Sequence, residues 1–407
     1  MAPPPARSHH AARAPRVIIL ALLLTLTILV AGCAELDQTA VPPGPLERVE
    51  DSPRSGIGKP QVRTPLATVL PPVIAVIPQS ASRVYFAHGG DLWQLPPEGD
   101  PAPVVTGRDI LAFGPSPDGE QVAVIFASQP EMNGNSTVAI MAADGSVALE
   151  LPDPAPAESQ APVRAIAWSP TGSAVAVARQ DGSLTLVDMS GTVRQLVPPQ
   201  PGSSPDGLIW SPDGALLAYR DPALPGQPTS LYVVSVATGE RHAVVTGDAG
   251  SAVLAAVWLP GRKALAYVRS AAGTIADGGD VFAVGPEGAP SDLLVSAGQF
   301  APVAGATSLA AAPDGRTLAI AVYTPGAEHP LFHGLWLLDL TTLDLTEVPT
   351  PRGKAVTDLW WADHRLVVRA VDEPWLVRAG AYTGTEPFTL YDVDLTTLQV
   401  RTRYVHP

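Results

Sequence analysis

The sequence predicts an all-β fold: a β-propeller of seven four-stranded blades, preceded by a signal peptide and a disordered tether. Three observations support this prediction. A strand–turn–strand unit recurs along the chain, each unit is followed by two further strand-like segments, and no helical period of useful length follows residue 33. A repeat of about 40–50 residues with several strands per unit is the signature of a propeller.

The recurring unit is clearest in three segments whose first strand ends in tryptophan. They are AIAWSPTGSAVAVAR (165–179), GLIWSPDGALLAYR (207–220) and AAVWLPGRKALAYVR (255–269). Fainter copies occupy 110–126, 308–322 and 358–371, and an opening copy spans 73–107. Proline sets φ at the second position of a turn and Asp-Gly allows a tight reversal, so the S-P-D-G segment predicts a hairpin.

Each unit continues with a third strand that ends in a polar turn, and then with a fourth, more polar strand. SLTLVDMSG (183–191) is followed by TVRQLVP (192–198), and FTLYDVDLTTL (388–398) by QVRTRYV (399–405). Four short strands separated by Gly, Pro and Asp are typical of an antiparallel blade. Seven blades of about 48 residues fit the repeat, with six or eight as alternatives. Both end copies have enough strands to form blades of their own.

The N-terminus has the features of a secretory signal. Residues 1–16 carry three arginines and no acidic residue, and Val17–Ala31 is an apolar run broken only by two threonines. A basic segment, an apolar stretch and a small-residue cleavage site define such a signal. The run is shorter than the ~20 apolar residues of a transmembrane helix, although an uncleaved anchor helix is the alternative.

The end of this run, L-V-A-G-C at 29–33, resembles the bacterial lipobox. In that family the signal is cut between the residues that match Gly32 and Cys33, and the cysteine is acylated. Cys33 is the only cysteine in the chain, and a single thiol in an exported protein requires an explanation. The resemblance therefore implies lipidation of Cys33 and a location on the extracytoplasmic face of a cell membrane, at the cell surface or in the periplasm.

The chain accordingly divides into a signal peptide (1–32), a Pro-rich flexible tether (33–71) and the propeller (72–407). The tether is rich in Pro, Gly and charge and lacks a sustained apolar period, so it cannot bury enough surface to fold. A flexible segment of this length has a root-mean-square span of ~35 Å. It would hold the propeller clear of the membrane surface.

Composition excludes several classes of function. The formal net charge is −14, and a strongly acidic protein repels phosphate backbones, so nucleic acid is not an expected partner. The single cysteine allows no disulfide within the chain. The sequence contains no G-x-S-x-G nucleophile elbow, no P-loop and no C-x-x-C-H haem motif, so no catalytic residue and no cofactor is predicted.

Two sets of residues recur at fixed positions of the repeat. Asp118, Asp213 and Asp314 fall in the turns, and we interpret them as turn-stabilising carboxylates, because residues of different blades could share one metal ion only if that ion lay on the channel axis. Tryptophans end the first strands at 168, 210, 258 and 360. We expect these large rings to pack between neighbouring blades.

Two histidines have the spacing of a zinc-binding pair, but the residues around them do not predict the helix that such a pair requires. His329 and His333 are four residues apart, which on a helix could bind zinc. The prolines of PGAEHPLFHG predict a loop instead, and no third ligand lies nearby in the sequence. No metal site is therefore predicted.

The candidate binding face is formed by the loops between second and third strands, which are long at 127–136, 220–230, 269–280, 323–334 and 372–387. Equivalent loops of a propeller lie on one face, and long loops on a rigid scaffold commonly carry binding. Aromatic and arginine side chains are favoured interface anchors. The candidates are Phe332, His333, Trp375, Arg378 and Tyr382.

The S-P-D-G turn followed by ALLAYR and LYVVSVATGE resembles the repeats of TolB-like and WD40-like propellers over 73–407. The repeats lack the Gly-His and Trp-Asp pairs of WD40 blades, which favours the TolB-like comparison. The fold alone does not specify the function, because function lies in sites grafted onto folds. Since the sequence shows no catalytic motif, the expected role is a monomeric binding or scaffolding module for an envelope protein or glycan. The alternatives are a hydrolase or lyase with its site at the channel mouth, and a sensory domain associated with a membrane signalling protein.

Replacing Cys33 with alanine tests the lipid anchor. We expect the variant to leave the membrane fraction or to accumulate with its signal uncut, because no thiol remains to carry the lipid. Cell fractionation with mass spectrometry of the N-terminus measures both outcomes. A Cys33→Ala protein of mature size in the membrane fraction would contradict the anchor.

Overall fold

The computed structural model describes residues 83–406, apart from 109, 127–136, 152–160, 222–227, 249–250, 271–277, 301–303, 324–333, 352–353, 363 and 372–385. The chain divides into two units, Met1–Val62 and Arg63–Pro407, and every described residue belongs to the second. The predicted boundaries at 32 and 71 lie outside the described residues. Within the described ranges, no helix has the length and apolar character needed to span a membrane.

The described residues form seven antiparallel sheets, which confirms the predicted seven-bladed propeller. Blade 1 contains β1 (Val84–His88), β2 (Asp91–Leu95) and β3 (Ala102–Val105). Blade 2 contains β4 (Ile110–Pro115), β5 (Gln121–Phe126), β6 (Thr137–Ala142) and β7 (Val147–Leu151). Blade 3 contains β8 (Val163–Trp168), β9 (Ala174–Arg179), β10 (Leu184–Asp188) and β11 (Val193–Val197).

The remaining four blades all have four strands. Blade 4 contains β12 (Asp206–Trp210), β13 (Leu216–Asp221), β14 (Ser230–Ser235) and β15 (Arg241–Val245). Blade 5 contains β16 (Ala252–Trp258), β17 (Leu265–Ser270), β18 (Asp280–Gly285) and β19 (Gly288–Val295). Blade 6 contains β20 (Gly305–Ala311), β21 (Thr317–Tyr323), β22 (Gly334–Asp339) and β23 (Leu345–Val348). Blade 7 contains β24 (Ala355–Ala362), β25 (Arg365–Val371), β26 (Phe388–Asp394) and β27 (Gln399–His406).

Strand order within each blade follows the chain, so neighbouring strands are joined by hairpin connections. Blade 7 is built entirely from the C-terminal copy, as the sequence predicts. In blade 1 the described strands are three, and the predicted first strand of that copy falls outside the described residues. Second strands such as β9 and β21 are buried almost throughout, because a blade packs against each of their faces. Their sequences therefore read as continuous apolar runs.

The core consists of seven hydrophobic clusters among the described residues, and each is shared by two consecutive blades. Tyr85 and Leu92 of blade 1 pack with Val124 of blade 2, for example, and Val84 and Phe86 pack with Phe388 of blade 7. The other five clusters join blades 2 to 7 in order. Burial of apolar area thus occurs between blades, and each blade depends on two neighbours for its stability.

Hydrogen bonds from tryptophan side chains also join neighbouring blades at several of these interfaces. The indole Nε1 atoms of Trp210, Trp258 and Trp361 each donate to a first-strand carbonyl of the preceding blade, at Ala167, Ile209 and Ala310, over 3.0–3.1 Å. Trp168 also packs at a blade interface. The predicted packing role of the first-strand tryptophans is confirmed.

The assignment of Trp360 to this repeat position is wrong by one residue. Trp361 pairs with Leu366, as Trp210 pairs with Leu217, so Trp361 is the equivalent residue. The offset arises because Ala362 pairs directly with Arg365, which makes this turn shorter than S-P-D-G. Trp360 instead contacts Phe86 at a ring-centroid distance of 6.2 Å.

At the other end of the blades, backbone hydrogen bonds join one blade to the next. Gly279 precedes β18 and exchanges two hydrogen bonds with Ala306 of β20, at 2.8 and 2.9 Å. Ile110 N donates to Gly90 O in the same way, over 3.2 Å. A Cβ at Gly279 would overlap the carbonyl of Arg269, so only glycine permits this approach.

The seam between blades 7 and 1 closes the ring with polar and aromatic contacts in addition to its apolar cluster. Arg369 Nη1 donates to Ala87 O over 2.8 Å, and its Nε lies 2.7 Å from Asp358 Oδ2. Arg403 Nη2 donates to the carbonyls of Pro97 and Gly99 at 2.9 and 3.0 Å. The two arginines therefore bind blade 7 to the backbone of blade 1.

Two histidines meet within this seam. The rings of His88 and His406 are 4.5 Å apart, and each also contacts the ring of Phe388, at 4.8 and 5.0 Å. Burial lowers the pKa of His88, and the neighbouring His406 and Arg369 lower it further, against smaller opposing effects of Glu386 and Asp91. The seam therefore favours neutral His88.

Replacing Arg369 with leucine tests the contribution of the seam to stability. We expect the free energy of unfolding to fall by about 1.5–3 kcal/mol, the typical value for hydrogen bonds to a charged group, because the carbonyl of Ala87 loses its donor and Asp358 loses its ion-pair partner. Urea denaturation measures the change. Arg316→Leu, at an exposed position, is the control and should remain within about 0.5 kcal/mol of wild type. Equal stability of both variants would contradict this role of Arg369.

Acid sensitivity is the second expectation for the seam. The folded protein holds the pKa of His88 below that of the unfolded chain, about 6.5. As pH falls through that value the unfolded state binds more protons, so the free energy of unfolding decreases until the folded pKa is passed. We expect His88→Phe to lose less stability than wild type between pH 7.5 and pH 5 in urea titrations.

The control for this experiment is His364→Phe, because the side chain of His364 is exposed. Its decline between the two pH values should match that of wild type. A decline in His88→Phe as steep as in wild type would show that the seam histidine does not carry the effect.

Candidate functional site

The two ends of the blades differ in the length of their connections. Second-to-third strand connections share one end, which we call the loop face, because strands alternate in direction within each blade. Five of these connections span eight residues or more, at 127–136, 222–229, 271–279, 324–333 and 372–387. The opposite end, which we call the turn face, carries first-to-second and third-to-fourth strand turns. The predicted grouping of the long loops on one face is therefore correct.

The side chains proposed for the loop face lie outside the described residues, and so do the lipidation site and its cleavage position. They are Gly32, Cys33, Phe332, His333, Trp375, Arg378 and Tyr382. His329 also lies outside. Among the residues that the structure does describe, no group of three or more His, Cys, Asp or Glu side chains could hold a metal ion.

The described rim of the loop face carries two equivalent ion pairs that the sequence analysis missed. Arg220 lies 2.9 Å from Asp206 in blade 4, and Arg369 lies 2.7 Å from Asp358 in blade 7. In both blades the arginine lies near the loop-face end of the second strand and pairs with an aspartate of the first strand. The recurrence of an aspartate in the first strand and an arginine in the second strand is the sequence signal that indicates these pairs.

These ion pairs have a structural explanation. Arg220 Nη1 also donates to the carbonyl of Leu254 in blade 5, as Arg369 does to blade 1. Burial raises the pKa of Asp206, although the nearby Arg220 lowers it. Each pair thus ties a blade to the next one at the loop face, which fixes the positions from which the long loops leave.

The turn aspartates act as predicted. Asp118 Oδ1 accepts hydrogen bonds from Ser116 Oγ and Glu120 N at 2.5 and 3.0 Å, and these bonds lower its pKa against a smaller effect of burial. Asp314 Oδ1 accepts a bond of 2.8 Å from Arg316 N. Asp213 accepts equivalent hydrogen bonds within its own turn. All three aspartates therefore stabilise turns.

Asp213 differs in its surroundings. Its Oδ1 accepts from Ser211 Oγ at 2.6 Å and from Ala215 N at 3.0 Å. Burial acts to raise its pKa, but these hydrogen bonds outweigh burial and the net pKa is lowered. Asp213 borders an open cleft of about 670 Å³ on the turn face, between blades 3 and 4. The sequence analysis did not identify this cleft.

Comparison with known proteins supports the fold. No protein-family model and no curated protein sequence matches the chain. Among solved structures, the tricorn protease is similar with 14% identity and a TM-score of 0.54, over 81% of this chain and 34% of that chain. Oligogalacturonate lyase in complex with manganese is similar with 14% identity and a TM-score of 0.53, over 80% and 84%.

A puromycin-hydrolyzing peptidase of Mycobacterium tuberculosis is similar with 18% identity and a TM-score of 0.54, over 80% of this chain and 54% of that chain. The chain therefore spans about a third to a half of these peptidases and most of the lyase. At such low identities the similarity establishes the propeller fold and leaves the activity undecided.

Proposed function

We propose that the protein is a lipid-anchored, extracytoplasmic binding module whose loop face contacts an envelope protein or glycan. The observation that carries this proposal is the concentration of five long connections on one end of a seven-bladed ring. The other end is closed mainly by tight turns. A rigid scaffold that presents variable loops on one side is a common arrangement for binding.

The rim beneath the loops supports this role. Arg220 and Arg369 each form an ion pair within their own blade and donate to a backbone carbonyl of the next blade. These links hold neighbouring loop origins at fixed separations, so binding would require little ordering of the scaffold itself. The lipobox-like sequence ending at Cys33 supports a location at the membrane, with the tether as spacer.

A second candidate is a hydrolase or lyase, because the similar structures include peptidases and oligogalacturonate lyase. The lyase is the stronger guide, since the chain spans 84% of its length. Incubation with oligogalacturonides, in the presence and absence of Mn²⁺, tests it through the ultraviolet absorbance of an unsaturated product. Turnover by this chain would replace the binding proposal with the enzymatic one.

Site-specific photo-crosslinking in cells tests the binding role. A benzophenone-bearing residue at Phe332 or Tyr382 of the full-length protein should form adducts with a discrete partner, because both positions lie in loop-face connections. Position Leu293 on β19, the fourth strand of blade 5, is the matched control because its side chain is 51% exposed. Gel shifts and mass spectrometry identify the adducts.

Adducts from the two loops but not from position 293 would support the loop face. A second experiment shortens 324–333 and 372–385 to tight turns and places the benzophenone-bearing residue in one of the other long loops. The adduct from that position should then be lost. Adducts that form only from the control position, or that persist at full yield after shortening, would contradict the proposal.

A further inference from the structure

The cleft between blades 3 and 4 is a second candidate site, on the face opposite the long loops. It has a volume of about 670 Å³, within the range of roughly 300–1,000 Å³ typical of small-molecule sites. Three turns surround it: 169–173 and 188–192 of blade 3, and 210–214 of blade 4. Two neighbouring blades form its walls.

The cleft combines apolar and hydroxyl-bearing surfaces. Leu186, Met189, Trp210 and Val236 provide apolar surface. Trp210 is held in place by the hydrogen bond from its indole Nε1 to Ala167 O, at 3.1 Å. Ring and aliphatic surfaces of this kind pack against the C–H faces of a flat, partly apolar ligand.

Hydroxyl groups line the same cleft. Thr171 Oγ1 lies 2.7 Å from Ser173 Oγ, and Ser190 Oγ lies 2.9 Å from Thr192 Oγ1. All four residues are exposed. A hydroxyl both donates and accepts hydrogen bonds, so the paired groups complement a ligand that itself carries many hydroxyls.

Two carboxylates add acceptors. Asp188 Oδ1 accepts from Ser190 N, Ser190 Oγ and Thr192 N at 2.6–2.9 Å, and these bonds lower its pKa. Asp213 uses its own Oδ1 in the same manner. Each of the two residues has a second carboxylate oxygen, Oδ2, that can accept a hydrogen bond from a ligand.

Charge limits the class of ligand. Two ionised carboxylates disfavour an anion. Arg194 lines the same cleft and offsets part of this negative charge, and its Nη2 already donates to Val236 O of blade 4 over 2.7 Å. A neutral ligand with many hydroxyls and an apolar face complements the hydroxyl groups and the apolar surface without charge repulsion.

We propose that this cleft binds a neutral oligosaccharide. The acceptor oxygens of Asp188 and Asp213 receive hydrogen bonds from sugar hydroxyls, the serine and threonine hydroxyls complete them, and Trp210 packs against a pyranose face. This site is separate from the loop face, and its function does not depend on the proposal made for the loops.

The chain offers a matched control in blade 2. Asp144 Oδ1 accepts from Ser146 N and Ser146 Oγ at 2.9 and 2.6 Å, which repeats the geometry of Asp188 and Ser190 without a described cleft beside it. Asparagine at position 188 or 144 keeps an oxygen that can accept the turn bonds. Tryptophan at position 190 would fill the cleft, whereas tryptophan at position 146 would extend from the blade edge.

The test is isothermal titration calorimetry of the full-length protein, in a detergent without a sugar headgroup. The probes are maltohexaose, cellohexaose, chitohexaose and, as the anionic counterpart, hexagalacturonate. We expect at least one neutral hexasaccharide to bind with a Kd at or below ~1 mM and hexagalacturonate to bind at least about tenfold more weakly. Asp188→Asn with Asp213→Asn, and separately Ser190→Trp, should weaken binding about tenfold or more, the effect of losing one or two hydrogen bonds.

Asp144→Asn and Ser146→Trp should bind like wild type, and so should the protein with shortened loops 324–333 and 372–385. Retained binding in the loop-shortened protein supports the cleft whatever the crosslinking experiment shows. No binding of any neutral probe, preference for hexagalacturonate, or equal losses in the cleft and blade 2 variants would overturn the proposal.

Discussion

Burial of apolar surface between blades is the constraint on which this structure depends. Every hydrophobic cluster in the described residues is shared by two consecutive blades. A four-stranded sheet of this kind cannot cover both of its own faces, so its stability comes from its two neighbours. Blades 1 and 7 meet this requirement through the cluster of Phe86 and Phe388 and through the carbonyl contacts of Arg369 and Arg403. The seam therefore buries apolar surface between the first and last blades, as the other interfaces do between blades that are consecutive in the chain.

Different groups link neighbouring blades at the two faces. At the turn face, indole donors such as Trp210 join first strands of neighbouring blades, and the short turn that contains Asp213 follows directly. At the loop face, the links are arginine side chains that donate to carbonyls and backbone bonds such as that of Gly279 with Ala306. Neighbouring blades are therefore linked to each other at both faces by contacts that do not involve the long loops. Long insertions can therefore leave the loop face without weakening the sheets that carry them.

The two proposed binding regions rest on different features. The distribution of connection lengths supports the loop face, whereas the side-chain contacts of Asp188, Asp213 and Trp210 support the turn-face cleft. The similar structures, a protease, a lyase and a peptidase, share the propeller at 14–18% identity. A common ring with different activities is what is expected when function is carried by loops and clefts.

The sequence alone determined the fold, the blade number and the face of the long loops. These follow from local patterns, because short apolar strands and turns of the S-P-D-G type depend on a few neighbouring residues and recur along the chain. It also determined the turn role of Asp118, Asp213 and Asp314. The tertiary structure decided that Trp361 rather than Trp360 occupies the repeat position, since strand register depends on the length of one turn. It alone brought Asp188 and Trp210 together at one cleft, because residues 22 positions apart on different blades meet only when two separate sheets pack side by side.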